Sequence, residues 1–154
     1  MRLEAEIKQN TPFKTAHQRA TVNLIFTHNW LMTRQKAFFK DFDITVQQYN
    51  VLRILRGQSP KPVSTSDIRE RMLDKMSDVS RIVDRLVKKD LVVRKTCKAD
   101  KRLVDVLISE AGLQLLEDID TKGDMDDTMA GLTEAEADLL NNLLDKVRNR
   151  NTEA

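Results

Sequence analysis

The sequence predicts a mainly α-helical protein that carries one small β-hairpin. Only four of the 154 residues are glycine and three are proline, and so few chain-breaking residues favour helices. The run from Met76 to Lys89 repeats its apolar residues at helical spacing. Two short runs with β-branched residues, 91–97 and 104–109, are joined by a charged link, which is typical of a hairpin.

The first long helix is predicted within residues 11–40. Apolar side chains occupy nearly every face of this segment, among them Phe13, Leu24, Ile25 and Trp30. A helix that is apolar nearly all round must be covered on more than one side. In a chain of this size we expect a second subunit to be the cover; the alternative is the central helix of a monomeric bundle.

Two capped helices are predicted next. Thr45 and Gln48 have the spacing of a capping box, and Gly57 supplies a stop, so a helix is expected between them. Ser64 and Asp67 have the same spacing and open a shorter helix. The segment LDKMS separates this helix from the next one.

The helix predicted from Met76 to Lys89 has two different faces. Its apolar stripe consists of Val79, Ile82, Val83 and Leu86. Its other side carries Ser77, Arg81 and Lys88, flanked by Asp78, Ser80, Asp84 and Arg85. The stripe suits a protein core, whereas hydroxyl and guanidinium groups suit base edges and phosphates. Either Asp74 or Ser77 is expected to cap this helix, and Asp84 to pair with Lys88 at i, i+4.

The hairpin and two further helices complete the predicted elements. LVVRKTC and VDVLIS flank the link KADKRL, whose four charged residues in six make the tip basic. A helix is expected from Glu110 through Leu116 and Ile119, weakening at DTKGDMDDT. Thr133 with Glu136 then caps a last amphipathic helix.

Charge is unevenly distributed along the chain. The net charge is only +2, yet residues 61–102 hold thirteen basic and seven acidic groups, and residues 1–60 carry a net +5. Residues 103–154 hold four basic and thirteen acidic groups, a net −9. Because a partner meets the local field, the basic middle of the chain indicates a polyanionic partner.

Several classes of protein are excluded or disfavoured. No apolar run approaches the roughly 18 residues of a membrane span, and the N-terminus lacks the apolar region of a secretory signal. A single cysteine, Cys97, fits a reducing cytoplasm. No nucleophile–base pair or glycine-rich phosphate loop is present, so an enzyme is disfavoured. We expect no cofactor and no metal, since His17 and His28 are too far apart along one helix to share an ion.

The order helix, helix, turn, helix, hairpin is that of a winged helix-turn-helix. The residues within that order resemble the MarR-type (multiple antibiotic resistance regulator) transcription factors. The matching pieces are VQQYNVLRIL at 46–55, VSTSDIRERM at 63–72, SRIVDRLVKKDLVVRK at 80–95 and KADKRLVDVLISEAG at 98–112. The resemblance covers roughly residues 15 to 148. Asp90 stands where that family commonly has glycine, and it is expected to adopt the left-handed turn at a mild cost.

The resemblance implies that different parts of the chain have different functions. Residues 11–40 and 110–150 would form dimerisation helices, and residues 41–109 a winged helix-turn-helix lobe that binds DNA. It further implies a homodimer on a pseudo-palindromic operator, with a small-molecule effector held between the lobe and the dimerisation helices. The resemblance implies that Ser77, Asp78, Ser80 and Arg81 face the major groove and that Lys101 and Arg102 lie on the wing, near the minor groove and phosphates. The further DNA-binding residues expected are Ser64, Thr65, Arg85 and Lys98.

Individual residues have alternative interpretations. Arg81 suits bidentate recognition of guanine; the alternative is a solvated arginine paired with Asp78. Asp100 is expected to orient the wing by pairing with Arg102 or Arg94, and otherwise is an ordinary exposed carboxylate.

Two further expectations concern ligands and redox chemistry. His28 and Trp30 are expected to line the effector cleft. Cys97, beside Lys95 and Lys98, is either a reactive thiol or, as the more ordinary interpretation, an inert strand cysteine.

The sequence therefore predicts a cytoplasmic, homodimeric regulator that binds double-stranded DNA, and a repressor released by a small ligand. The alternative is a winged-helix protein-interaction module without specific DNA binding. Salt dependence distinguishes them, because a protein that neutralises phosphates loses affinity steeply as salt rises.

Overall fold

The computed structural model describes residues 2–96, 104–123 and 128–149. The elements in these ranges are, in chain order, α1 (Leu3–Glu6), α2 (Ala16–Lys40), α3 (Val46–Arg56), β1 (Val63–Ser64), α4 (Thr65–Arg71), α5 (Val79–Lys88), β2 (Val92–Thr96), β3 (Val104–Ile108), α6 (Glu110–Lys122) and α7 (Glu134–Asn149). Helices dominate and β2 pairs with β3, so the predicted helical fold with a hairpin wing is confirmed. Within the described ranges no helix combines the length and apolarity needed to cross a membrane.

The sheet has one strand more than the sequence predicts. β2 and β3 are antiparallel, with Val92 opposite Ile108, and β1 pairs with the other edge of β3, with Val63 opposite Val106. β3 is therefore the central strand. The expectation of a hairpin alone is corrected here, because a two-residue strand is too short for alternation to reveal it.

The core lies between the helix-turn-helix, the sheet and α6. On α5, Val79, Val83 and Leu86 are fully buried, which confirms the apolar stripe. α2 reaches this core only near its C-terminus, where the Phe39 ring packs 4.4 Å from the Tyr49 ring between centroids. Other fully buried members of the core are Val51, Leu52, Leu55, Ile68, Met72, Val106, Leu116 and Ile119.

The predicted caps of α3 and α4 are present. The Thr45 side-chain oxygen accepts the Gln48 N–H at 3.1 Å, and Gln48 Oε1 accepts the Thr45 N–H at 3.0 Å, a complete capping box. Ser64 Oγ accepts the Asp67 N–H at 3.1 Å at the start of α4. These bonds satisfy backbone donors that have no partner within their helices.

Two backbone positions fix how α5, β2 and α6 join. Asp90 has φ 58°, so the left-handed turn expected there is confirmed. Gly112, in the first turn of α6, allows that helix to approach the strand closely, since a Cβ would lie 2.3 Å from the Leu91 carbonyl oxygen. The Ser109 side chain caps α6 by accepting the Gly112 N–H at 3.0 Å.

The outer helices α2 and α7 remain largely uncovered. Of the 25 residues of α2, only Gln35 and Phe39 are buried, and none of α7 is. Leu139 and Leu143 of α7 are 58% and 53% exposed. Thr133 and Glu136 exchange the hydrogen bonds expected at the start of α7, and they lower the pKa of the Glu136 carboxyl.

The short helix α1 was not predicted and lies against α2. Leu3 is buried, and the Glu4 carboxylate forms an ion pair with the Arg19 guanidinium. That hydrogen bond lowers the pKa of Glu4 to about 2. The helix predicted within residues 11–40 begins at Ala16, capped by Thr15, whose side chain accepts the Gln18 N–H.

Candidate nucleic-acid interface

α5 presents one polar, exposed face to solvent. Ser80, Arg81, Asp84, Arg85 and Lys88 are all exposed on it, while the opposite stripe is buried. The helix is held by its stripe, so the orientation of the polar face is fixed by core packing. A rigid helix with an exposed hydroxyl and guanidinium groups has the form needed to enter a major groove.

The start of α5 differs from the prediction. The helix begins at Val79 rather than near Met76, and its cap is Asp78, whose carboxylate accepts the Arg81 N–H at 3.2 Å. Neither Asp74 nor Ser77 is the cap, because the two bond to each other: Ser77 Oγ donates to Asp74 Oδ2 at 3.0 Å. The contact between Asp78 and Arg81, which was the alternative interpretation of Arg81, thus involves the Arg81 backbone N–H.

The turn between α4 and α5 is held by hydrogen bonds at both ends. The Leu73 N–H donates to Asn50 Oδ1 on α3 at 2.9 Å. The Met76 N–H donates to Asp74 Oδ1 at 3.0 Å. These bonds fix the turn relative to α3, yet they leave the Leu73 and Met76 side chains in solvent. Neither side chain was among the predicted site residues, since no periodic pattern marks a turn.

An ion pair joins α5 to the wing. Arg94 Nη2 on β2 lies 2.5 Å from Asp84 Oδ1, and it reaches the Ser80 carbonyl oxygen at 3.5 Å. The predicted pair between Asp84 and Lys88 is therefore wrong. Asp84 pairs instead with Arg94, which is distant on the chain and is brought close by the fold. Arg94 thereby joins the base of the wing to α5, whereas its predicted partner Asp100 lies outside the described residues.

The remaining DNA-binding candidates lie in two other places. Ser64 and Thr65 are half-buried at the β1–α4 junction, where the Ser64 hydroxyl already caps α4. The predictions for Cys97, Lys98, Asp100, Lys101 and Arg102 lie outside the described residues.

A groove of about 990 Å³ runs between α2, α3 and α5. Its walls carry five cationic side chains, Lys36, Lys40, Arg85, Lys88 and Lys89. Lys89 pairs with Asp43 at 2.7 Å, and Met32, Ile44 and Val46 add apolar surface. A groove of this composition suits a ligand with both apolar and anionic parts.

His28 and Trp30 do not line this groove. Trp30 is exposed on α2, with the Arg34 guanidinium 5.2 Å from the centre of its ring. The sequence missed Lys36 and Lys40 as groove residues, although their spacing of four places them on one helix face. Within the ranges that the structure describes, no three His, Cys, Asp or Glu side chains are grouped to hold a metal ion.

Comparisons with known proteins agree on one family. The model described as "MarR family" matches residues 42–103. The HTH-type transcriptional repressor IacR of Pseudomonas putida is 30% identical over 142 residues, which cover 91% of this chain and 79% of that protein. A MarR transcription factor from Planctomyces limnophilus is 30% identical in structure-based alignment, with TM-score 0.67, covering 89% of this chain and 98% of the other.

A further solved structure is a mutant MarR from E. coli complexed with operator DNA. It is 25% identical, with TM-score 0.71, and the match covers 96% of this chain and 99% of the other. The whole fold described above, and not only its winged helix-turn-helix, is thus shared with these two solved structures over almost the full length of both chains.

Proposed function

The chain belongs to the MarR family of transcription regulators, and on that premise we propose that it is a homodimeric repressor that binds operator DNA and is released by a small-molecule effector. The family consists of regulators and not enzymes, as the sequence led us to expect. The observation that carries the proposal is the exposed polar face of α5, held rigid from behind by Val79, Val83 and Leu86.

DNA contact is assigned to that face and to the wing. Ser80 and Arg81 would meet base edges, and Arg85 with the basic tip at Lys98, Lys101 and Arg102 would meet phosphates. Ser77, Ser64 and Thr65 lie near helix starts, where backbone N–H groups favour a nearby phosphate. Asp78, whose carboxylate caps α5, would face the major groove and influence which bases are preferred. The similarity to a mutant MarR from E. coli that was solved in complex with operator DNA supports DNA binding by this chain.

We assign dimerisation to residues 11–40 and 110–150, around a DNA-binding lobe at 41–109. The support is the set of exposed apolar side chains on α2 and α7, including Leu24, Ile25 and Leu143, because their burial against a second subunit would be favourable. In a two-fold dimer, the two α5 helices would have to lie about 34–36 Å apart to meet successive major grooves on one side of DNA.

The effector is assigned to the groove between α2, α3 and α5. This groove touches both the long outer helix and α5, so an occupant would favour one arrangement of the two. A ligand shifts that equilibrium only through its different affinities for the two arrangements. An effector must therefore weaken DNA binding, and not merely bind.

Fluorescence anisotropy on a selected duplex at several salt concentrations tests the proposal. A protein that neutralises phosphates should lose about 0.9 log units of affinity per log unit of salt for each phosphate contacted. A flat salt dependence, or equal affinity for every duplex, would instead favour the protein-interaction module.

A further inference from the structure

Two large apolar side chains stand in solvent beside the start of α5. Met76 is 92% exposed and Leu73 is 83% exposed, the highest values among the large hydrophobic residues of the described ranges. Isolated exposed apolar residues are ordinary on protein surfaces. These two are notable for their position, in the turn that precedes the helix assigned to the major groove.

The turn holds Met76 in place. Asp74 accepts hydrogen bonds from the Met76 N–H and from the Ser77 hydroxyl, each at 3.0 Å, and the Ser77 N–H donates to the Asp74 carbonyl oxygen at 3.2 Å. The backbone at 76 is thereby fixed two residues before the cap Asp78. The Met76 side chain is displayed by an ordered turn, and it lies on the same end of α5 as Arg81.

The surroundings of Met76 favour DNA over a protein as its partner. Its immediate neighbours in the chain are Asp74, Lys75, Ser77 and Asp78, and the core of a protein–protein interface is depleted of such charged groups. The Asp74 and Asp78 carboxylates both accept bonds from nearby backbone N–H groups, and Asp78 also lies at the positive end of the α5 dipole. Their repulsion of phosphates is thereby partly offset.

The major groove offers one apolar group to such a side chain, the C5-methyl of thymine. Methionine is unbranched and polarizable, so it adapts to a small apolar partner. Leu73 is less well placed, because it follows Met72, the C-cap of α4, and its N–H donates to Asn50 on α3, so it lies farther from the start of α5.

We propose that Met76 contacts the C5-methyl group of one thymine in each operator half-site and so determines part of the sequence preference. This inference rests on the proposed function, since it requires α5 to enter the major groove.

Uracil scanning tests the contact. A duplex selected from a random pool by the wild-type protein is remade with uracil in place of each thymine in turn, which removes only the methyl group. The wild-type protein should bind about fourfold more weakly at one thymine per half-site, which corresponds to about 0.8 kcal/mol for one buried methyl group. Met76→Ser should bind the original duplex more weakly and show no further loss with that uracil.

Leu73→Ser is the matched control, because it removes a similarly exposed side chain from the same turn; it should keep the uracil penalty. Both variants should melt at the wild-type temperature, since both side chains are in solvent. An undiminished penalty in Met76→Ser, or no sensitive thymine at all, would overturn the inference and leave the proposed function standing. A wild-type protein that selects no duplex would refute the proposed function itself.

Discussion

Arg81 is the residue on which sequence recognition by α5 would depend most. Its backbone N–H is bonded to Asp78, which places the residue in the first turn of the helix. Its side chain is exposed and takes part in none of the ion pairs found among the described residues. The guanidinium is therefore available for bidentate pairing with guanine O6 and N7.

Arg81→Ala should relax sequence preference, whereas Arg102→Ala should weaken binding to all duplexes and flatten the salt dependence. The first change should cost about 1–3 kcal/mol of discrimination between the selected duplex and one altered at the contacted base. The second should reduce the salt slope by roughly one phosphate contact. Anisotropy titrations against both duplexes at two salt concentrations measure these effects. Lys14→Ala, in the exposed N-terminal segment, is the control; unchanged binding in both test variants would contradict the docking assignment.

Residue-level predictions from the sequence succeeded where the partner is local. Thr45, Ser64 and Thr133 cap the helices assigned to them, because each cap partner lies three residues away. The partner predicted for Asp84 was wrong, since Arg94 lies ten residues further along the chain and only the fold brings it near. The cap predicted for α5 was wrong because Asp74 and Ser77 form a hydrogen bond with each other within the turn.

At the scale of elements, sequence periodicity predicts only those helices and strands that are long enough to repeat a pattern. Packing determines the shorter ones. The stripe of α5 was predictable because ten residues of helix repeat the pattern. β1 and α1 were not, since two and four residues carry no measurable period. The uncovered state of α2 agrees with its scattered apolar residues, which point in several directions at once.

Gly112→Ala should destabilise the protein by about 1–3 kcal/mol, the usual cost of forcing a group into a filled space. The added Cβ would lie 2.3 Å from the Leu91 carbonyl oxygen and 2.8 Å from Ile108 Cγ1, so α6 would have to move away from the sheet. Gly131→Ala is the matched control, because a Cβ there meets nothing within 4 Å. Urea denaturation measures both, and equal stability of the two variants would contradict the close approach.

The contact of α1 with α2 should depend on pH. The pKa of Glu4 is lowered from 4.5 to about 2 in the folded protein, chiefly by its hydrogen bond with Arg19. A lowered folded-state pKa means that this contribution is fully present above about pH 4.5 and is lost as the pH falls through about 2. The NMR chemical shift of the Arg19 side-chain Nε–H should change over that window. Glu4→Gln should abolish the change, whereas Glu6→Gln, outside the Arg19 pair, should keep it.

At the scale of the whole molecule, the two signs of charge lie in different parts of the chain. Residues 1–102 carry the basic excess, and residues 103–154 carry the acidic excess. The uncovered apolar residues of α7 lie within that acidic part. In the proposed complex, DNA phosphates would repel the acidic part that contains α7, and they would attract the basic residues of the lobe.

Replacing Leu139 and Leu143 by lysine should convert the proposed dimer to monomers. Two unpaired charges in an apolar interface would each cost roughly 3–5 kcal/mol, while both side chains are over half exposed in the single chain, so folding should persist. Sedimentation equilibrium measures the change in mass. Val93→Lys, at an exposed apolar position on the wing, is the control. A double variant that remains dimeric would show that α7 is not part of the interface.

The central position of β3 has a consequence for the operator. β3 is bonded along both edges, and Arg94 joins the neighbouring strand to α5, so each lobe would meet DNA as one stiff piece. Inserting a single base pair between half-sites turns one of them by about a tenth of a revolution, and a stiff lobe has no internal joint with which to follow it. Such an insertion should therefore reduce binding more than a single base change within a half-site.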